Sequence, residues 1–327
     1  MAVARRDPSK AADVQGRAPA DEGEGSLGAG GHGDDGVRIW VESEGGVRIY
    51  AEARGPSAGA PVAFLHGVTA SARAWEFLPD EVCAGRRIIR LDFRGHGRSG
   101  HAPGRYRVCD YAGDVAAVLG ELSPERPAVL VGHSLGGTVA WWLAQRRPEL
   151  VAAAFLEDPP LLQGEMGAPE NAPTRARFRA MRAAVLADRA AGRDEQAVAA
   201  RLAATRAGAW PDAPLLGELV FAQSIAAMAF AQLRLDIGVI DGAIDGSTLA
   251  GLDARTPVAR PVYILRADER YGGVLTDERA RKLAELQPQV ELAQVQGAGH
   301  GIHDERDHRA VFLAHLHRFL DRHAPRG

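Results

Sequence analysis

The chain has 327 residues, of which 46% are hydrophobic and 25% are charged, a composition ordinary for a globular protein with a sizeable core. The formal net charge of −3 arises in residues 1–36, which carry seven acidic and four basic side chains and leave 35 of each sign elsewhere. Because residues 37–327 carry no net charge, they give no reason to expect nucleic acid or an anionic membrane as a partner. Two cysteines, Cys83 and Cys109, make no disulfide framework, and no Cys/His cluster indicates a metal site.

Residues 1–36 are rich in Gly, Asp, Glu and Ala and nearly free of large apolar side chains. Such a segment buries too little surface to offset its ordering entropy, so we expect a disordered tail without chemistry. The charges near the N-terminus are not followed by the apolar core of a secretory signal. No apolar run reaches the roughly 18 residues of a membrane-spanning helix. These patterns predict a cytoplasmic protein.

The order of the predicted elements indicates an α/β fold. Two alternating segments, Val37–Glu42 and Val47–Ala53, flank turn residues and predict a β-hairpin. Short apolar runs, typical of strands buried on both faces, follow at Val62–Leu65, Arg87–Asp92, Ala128–Val131, Val151–Leu156, Pro261–Leu265 and Val290–Val295. Helical spacing of apolar residues predicts helices at Tyr111–Leu122, Thr138–Gln145 and Asp307–Arg322. This alternation predicts a mostly parallel central sheet with helices on both faces.

One long segment interrupts the alternation. Residues 159–257 contain no strand signal and are rich in Ala, Leu and Arg, which favours helices. We predict a helical cap here, inserted into a sheet domain made of residues 37–158 and 258–327. Phe221, Met228 and Phe230 are candidates for the lining of a substrate pocket under the cap, and packing between cap helices is the alternative.

The segment Gly132-His133-Ser134-Leu135-Gly136 fits the G-x-S-x-G pattern of a nucleophile elbow. A predicted buried strand leads into it and a predicted helix follows. A sharp turn between the two leaves no room for side chains at the flanking positions, which explains the glycines. The helix N-terminus behind the turn favours developing negative charge. Ser134 is therefore the predicted nucleophile.

A serine hydroxyl becomes a good nucleophile only when a base takes its proton. His300 is the predicted base, because it follows the last predicted strand and lies between Gly299 and Gly301, in a loop that lets the ring reach across. His303, three residues further on, is the alternative.

The histidine needs a carboxylate that fixes its tautomer and stabilises its charged form. Asp268 is the predicted acid, since it follows a strand and gives the chain order Ser, Asp, His. Asp158 also follows a strand and is the first alternative, and Glu269 is the second.

Acyl transfer also requires hydrogen-bond donors for the oxyanion. The backbone N–H of Leu135, the residue after the nucleophile, is the first predicted donor. The N–H of Val68, in the loop after the strand Val62–Leu65, is the second. His66, in the same loop, is predicted to shape the backbone.

These motifs, with His66-Gly67 and the run Asp92-Phe93-Arg94-Gly95-His96-Gly97-Arg98-Ser99, resemble the α/β-hydrolase superfamily, in particular its cap-bearing serine hydrolases. The resemblance extends from about Val37 to Ala324. It implies the α/β-hydrolase fold, and it implies that the D-x-R-G-x-G-x-S run is a structural turn. We therefore expect neither Asp92 nor His96 to be catalytic.

The identity of the nucleophile narrows the expected chemistry. Similar epoxide hydrolases and haloalkane dehalogenases carry an aspartate where this chain has Ser134. A serine predicts hydrolysis of a small-molecule carboxylic ester, thioester or lactone through an acyl-enzyme, without a cofactor. The alternatives are a carbon–carbon bond hydrolase or lyase with the same triad, and a hydrolase-like ligand receptor. The sequence leaves the oligomeric state open.

Overall fold

A computed structural model describes residues 36–164, 166–208, 210 and 212–326. The predicted disordered tail lies outside these residues, apart from Gly36. The described residues form one eight-stranded sheet in the spatial order β1-β2-β4-β3-β5-β6-β7-β8. Its strands are β1 (Val37–Ser43), β2 (Val47–Arg54), β3 (Ala60–Leu65), β4 (Arg86–Leu91), β5 (Ala128–His133), β6 (Val151–Glu157), β7 (Val262–Arg266) and β8 (Glu291–Gln294).

The direction of the strands follows from their connections. β1 and β2 form the predicted hairpin, and β2 also runs antiparallel to β4. All other neighbours are parallel, because a helix-containing segment returns the chain to the same end of the sheet each time. The mostly parallel sheet predicted from the sequence is confirmed.

Ten α-helices accompany the strands in the described part of the chain. They are α1 (Asp80–Cys83), α2 (Val108–Leu122), α3 (Leu135–Arg146), α4 (Ala172–Ala190), α5 (Glu195–Ala203), α6 (Leu216–Leu219), α7 (Ala222–Arg234), α8 (Ile237–Asp245), α9 (Asp277–Leu286) and α10 (Arg309–His323). None of these helices is long and apolar enough to cross a membrane.

The core lies on both faces of the sheet. Alternate residues of β3 point in opposite directions. Phe64 belongs to the apolar cluster that contains Phe312 of α10, whereas Leu65 belongs to the cluster that contains Val115 of α2 and Val139 of α3. Helices therefore cover both faces, as the sequence predicts.

Helices α4 to α8 lie between β6 and β7. We call residues 159–257 the cap, with the boundaries predicted from the sequence. In the cap, α4 packs on α7 and α8, and α5 packs on α7. The described residues of this segment contain no strand of the sheet. The cap begins directly after β6, at the edge where the carboxyl ends of the parallel strands meet.

Candidate active site

Ser134 occupies a strained turn between β5 and α3. Its φ of 52° lies in the left-handed region, which a residue with a side chain rarely adopts. Its N–H donates to the carbonyl oxygen of Glu157 at 2.9 Å, which ties the turn to the end of β6. The side chain is thereby raised above the sheet edge, at the N-terminus of α3.

The two glycines of the G-x-S-x-G pattern are sterically required. A Cβ on Gly132 would overlap the carbonyl oxygen of Gly136, and a Cβ on Gly136 would overlap the carbonyl oxygen of Leu65. The strand, the turn and the helix therefore approach one another as closely as the backbone permits. This geometry is the one that the sequence pattern predicts for a nucleophile elbow.

A series of hydrogen bonds runs from the serine through one histidine to one carboxylate. The Nε2 atom of His300 lies 2.9 Å from the Oγ atom of Ser134. The Nδ1 atom of the same ring lies 2.7 Å from Oδ2 of Asp158. Ser134 is only 7% exposed, so little water competes for these bonds. The arrangement positions His300 to accept the serine proton while its other nitrogen donates to the acid.

The carboxylate bonded to His300 is that of Asp158, the first alternative, so the predicted pairing of Asp268 with His300 is corrected and Asp158 becomes the candidate acid. Asp158 directly follows β6, has a φ of 41°, and is fully buried. Its carboxylate also accepts hydrogen bonds from the N–H groups of Val274 at 2.8 Å, Ala267 at 3.3 Å and Leu275 at 3.3 Å. These donors stabilise a buried negative charge that has no arginine or lysine bonded to it in the described part of the chain.

Asp268 has a different set of contacts. Its carboxylate binds the guanidinium of Arg270 at 2.7 Å and the N–H of Gly297 at 3.0 Å. The Arg270 guanidinium holds the pKa of Asp268 well below its usual range. Asp268 therefore ties the loop after β7 to the loop that carries His300. Glu269, the other alternative, accepts from the N–H of Asp277 at 2.8 Å and does not contact His300.

The predicted oxyanion donors lie beside the serine. Leu135 is the first residue of α3, so its N–H has no acceptor within the helix. A Cβ placed on Gly67 would lie 3.4 Å from Cβ of Ser134, which puts the loop carrying Val68 against the nucleophile. The loop that carries Val68 and the first residue of α3 thus both lie beside Ser134, and the role of the two amides in catalysis stays a prediction.

His66 shapes this loop, in agreement with its predicted role. The ring is fully buried, and its Nε2 atom accepts from the N–H of Phe93 at 3.0 Å. The Nδ1 atom, which carries the proton in this tautomer, donates to the carbonyl oxygen of Gly67 at 2.8 Å. Burial lowers the pKa of His66 well below its usual value, so the ring stays neutral.

The D-x-R-G-x-G-x-S run forms a buried turn away from the triad. The carboxylate of Asp92 accepts from the N–H of Ala72 at 2.6 Å and from the N–H of Arg98 at 2.8 Å. Burial raises the pKa of Asp92 to about 6 and lowers the pKa of His96 to about 4. In the part of the chain that the structure describes, neither side chain bonds to Ser134 or His300.

A second carboxylate–histidine pair lies beside the first, and the sequence analysis missed it. Oε2 of Glu157 lies 2.6 Å from Nδ1 of His303, and Oε1 accepts from the N–H of the same residue at 2.9 Å. The His303 ring stacks on Trp75 and Phe77, at centroid distances of 4.7 and 5.5 Å. Burial lowers the pKa of His303, but the charges of Asp304 and Glu157 outweigh this effect and raise it to about 9. His303 is therefore a buried cation, and the structure does not bring it to Ser134.

The proposed pocket residues of the cap take part mainly in packing. Phe230 is 4% exposed, and three guanidinium groups surround its ring at 4.0 to 5.0 Å. Arg309 lies 3.8 Å from the ring of Phe221, and Met228 packs in the cap cluster around Val198. These contacts favour the packing alternative for all three residues. Among the described residues, no group of three or more His, Cys, Asp or Glu side chains is placed to hold a metal ion.

Comparisons with known proteins place the chain among enzymes of this architecture. A family model described as the alpha/beta hydrolase fold matches residues 60–307. A non-heme chloroperoxidase of Streptomyces lividans is 39% identical over 158 residues, which are 46% of this chain and 55% of that protein. The 2-(acetamidomethylene)succinate hydrolase of Mesorhizobium japonicum is 28% identical over 79% of this chain and 87% of its own length.

A solved structure extends the similarity to the whole fold. The esterase RhEst1 from Rhodococcus sp. ECU1013 matches with a TM-score of 0.66 and 26% identity, over 88% of this chain and 99% of that chain. Several curated relatives match over a shorter region, and the chain spans between 40% and 55% of the length of the first four.

Proposed function

The chain belongs to the α/β-hydrolase fold family, and we propose that it hydrolyses a small-molecule carboxylic ester through an acyl-enzyme on Ser134. The observation that carries this proposal is the continuous series of hydrogen bonds from Ser134 through His300 to Asp158, with distances of 2.9 and 2.7 Å. A thioester or lactone would react at the same carbonyl carbon by the same steps.

The first half of the reaction forms the acyl-enzyme. Nε2 of His300 takes the proton of Ser134 as Oγ attacks the carbonyl carbon, and the carbonyl oxygen becomes an oxyanion. The N–H groups of Leu135 and Val68 donate to that oxyanion. Asp158 stabilises the resulting imidazolium and keeps the ring oriented. When the bond to the leaving alcohol breaks, His300 gives its proton to the alcohol oxygen.

The second half releases the acid. A water molecule takes the position of the departed alcohol, and His300 accepts one of its protons as the oxygen attacks the acyl carbon. The same two amides hold the second oxyanion. Collapse of this intermediate breaks the bond to Oγ of Ser134, which recovers its proton from His300. The acid leaves, and the enzyme returns to its starting state.

Two relatives support a hydrolytic reaction. The Rhodococcus protein is named an esterase, and the Mesorhizobium protein is named a hydrolase of 2-(acetamidomethylene)succinate. The serine at the elbow agrees with such reactions, because it forms an acyl-enzyme with an ester or an activated amide.

The test is release of 4-nitrophenol from the acetate, butyrate and octanoate esters, with Ser134→Ala beside the parent. The proposal expects turnover by the parent, a burst that matches the enzyme concentration, and loss of both in the variant. Full turnover by Ser134→Ala would overturn it. No turnover by either protein would also count against the proposal. Hydrolysis of vinylogous diketones would then test the carbon–carbon alternative. Ligand binding without turnover would test the receptor alternative.

A further inference from the structure

The side chain of His133 bonds to the loop that carries the candidate base. His133 is the last residue of β5 and the second residue of the G-x-S-x-G pattern, directly before Ser134. Its Nε2 atom lies 3.0 Å from the carbonyl oxygen of His300. A carbonyl oxygen only accepts, so Nε2 of His133 carries a proton and donates it. The residue before the candidate nucleophile is thus bonded to the backbone of the candidate base.

This bond holds a peptide group whose neighbours restrict it little. His300 lies between Gly299 and Gly301, and glycine allows the backbone the greatest conformational freedom. In the part of the chain that the structure describes, no other donor bonds to the carbonyl oxygen of His300. The N–H of Gly299 is held separately, by Oε1 of Glu305 at 2.8 Å. His133 therefore anchors the peptide group on the carbonyl side of His300.

The ring of His133 also packs against two loops of the candidate site. Its centroid lies 4.8 Å from the ring centroid of His300. A Cβ placed on Gly67 would lie 2.8 Å from Nδ1 of His133, so the Nδ1 edge of the ring touches the loop that carries Val68. His133 therefore bridges the loop of the candidate base and the loop of a predicted oxyanion donor.

The charge state of His133 is compatible with this position. Its ring centroid lies 5.1 Å from that of His303, which is a buried cation. Burial lowers the pKa of His133 to about 3, although the carboxylate of Glu157 opposes this lowering. The neutral ring does not repel the imidazolium that forms at His300 in the proposed reaction. It carries one proton, and that proton is the one donated to the His300 carbonyl oxygen.

We propose that His133 is a positioning residue, because the hydrogen bond from its Nε2 atom holds His300 where the ring of the base reaches Ser134, an inference that rests on the proposed function. A misplacement of about 1 Å lowers a catalytic rate by about 100-fold. Without the donor, rotation at the two flanking glycines moves the imidazole away from the serine hydroxyl. The loss should appear in kcat and not in KM, because the bond acts on the base and not on the substrate.

The test compares two replacements of similar length. His133→Gln keeps an N–H donor at the end of its side chain, whereas His133→Met has none. We expect His133→Met to lower kcat on the best 4-nitrophenyl ester by about 10- to 100-fold, with KM changed by less than about threefold. His133→Gln should recover most of this loss. Each kcat is referred to the concentration of active sites, titrated by complete labelling with a fluorophosphonate, so that unfolded protein does not contribute.

His315→Met is the matched control. His315 is also partly buried, and its Nδ1 atom lies 2.5 Å from the hydroxyl oxygen of Tyr263, in contact with α10 and β7 rather than with the candidate site. This variant should leave kcat unchanged.

His133→Asn is a second variant without the bond, because its shorter side chain does not reach the carbonyl oxygen of His300. It should behave as His133→Met does, and it takes the place of that variant if His133→Met does not fold. Equal kcat values for His133→Gln and a variant without the donor overturn the proposal. Loss of folding in all three His133 variants would show a purely structural role and would also overturn it.

The rate of labelling separates this proposal from the proposed function, because it requires no ester. Oγ of Ser134 forms a bond to the phosphorus of the fluorophosphonate, fluoride leaves, and His300 takes the serine proton. The second-order rate constant should be about 10- to 100-fold lower for His133→Met than for His133→Gln.

The outcomes of the two measurements are distinct. If no ester turns over but labelling depends on the His133 donor, the positioning role stands and ester hydrolysis fails. If esters turn over, and kcat and the labelling rate are the same for His133→Gln and His133→Met, ester hydrolysis stands and the positioning role fails. Absence of both turnover and labelling in the parent overturns both proposals.

Discussion

Asp158 and His300 lie 142 positions apart in the chain and are joined by a 2.7 Å hydrogen bond between the carboxylate and Nδ1. Asp158 is also the residue at which the chain leaves the sheet for the cap. The strand before it, β6, lies between β5, which leads into Ser134, and β7, which is followed by the loop with Asp268. The residue that bonds to the candidate base is therefore directly continuous with the cap.

The two aspartates should respond differently to the same substitution. Asp158→Asn keeps the shape of the side chain but removes the charge that stabilises the imidazolium. We expect kcat to fall by about 10³- to 10⁴-fold, as for the loss of a triad acid. Asp268→Asn should lower kcat by less than about tenfold, because Asp268 bonds to Arg270 and Gly297 instead of the histidine. Steady-state kinetics on the best 4-nitrophenyl ester measures both, and a larger loss for Asp268→Asn would contradict the assignment.

The Glu157–His303 pair should make stability fall at alkaline pH. The folded-state pKa of His303 is raised to about 9, above the 6.5 of an unperturbed histidine. The stabilisation is therefore complete below pH 6.5 and is lost as the pH rises through about 9, with a total on the order of 3 kcal/mol. Urea unfolding between pH 6 and 10 measures this slope.

Glu157→Gln is the control for that slope. The amide retains hydrogen-bonding capacity but removes a charge that holds the proton on His303, so the pKa of His303 should fall and the decline above pH 6.5 should weaken. Stability that declines equally in the parent and the variant would show that another group titrates in this range.

Much of the fold and part of the site could be predicted from local sequence. Buried parallel strands are short apolar runs, and the nucleophile elbow is a local turn whose glycines are forced by close contacts. The sequence predicts that α3 begins at Thr138, three residues after its actual start at Leu135, because Gly136 and Gly137 have low helix propensity and hide the periodicity. The sequence also identified His300 as the histidine that the structure places beside Ser134.

The acid could not be chosen in the same way. Asp158 and Asp268 both follow strands whose ends meet at one edge of the sheet, so strand order alone does not separate them. The difference comes from the positive φ of Asp158 and from three amides of the 267–275 region that receive its carboxylate. The Glu157–His303 pair could not be predicted from local sequence either, because its two residues are far apart in the chain. Its only local signal is two adjacent carboxylates at a strand end and two histidines spaced by three residues.

A methyl group at Gly67 should impair the predicted oxyanion site. A Cβ there would lie 2.8 Å from Nδ1 of His133, closer than such contacts allow, so the loop must shift away from Ser134. Loss of one oxyanion donor lowers kcat by about 10²- to 10³-fold, and we expect Gly67→Ala to approach the lower figure with a smaller change in KM. Gly120→Ala in α2, where a Cβ meets nothing within 4 Å, is the control and should leave kcat unchanged. Equal kinetics for the two variants would argue against Val68 as a donor.

Phe230 should be a principal contact between the cap and the sheet domain. Its ring is approached by Arg234 at 4.0 Å within the cap, and by Arg73 at 4.4 Å and Arg98 at 5.0 Å from loops that follow β3 and β4. Phe230→Leu keeps most of the apolar volume and removes the ring, so it should lower the free energy of unfolding by about 1–2 kcal/mol through lost cation–π attraction. Phe230→Ala also leaves a cavity and should lower the free energy of unfolding by about 3–5 kcal/mol.

Urea denaturation gives both values, and limited proteolysis should cut the cap faster in Phe230→Ala. Equal stability of the parent and Phe230→Leu would show that the three guanidinium groups contribute packing without a net electrostatic term.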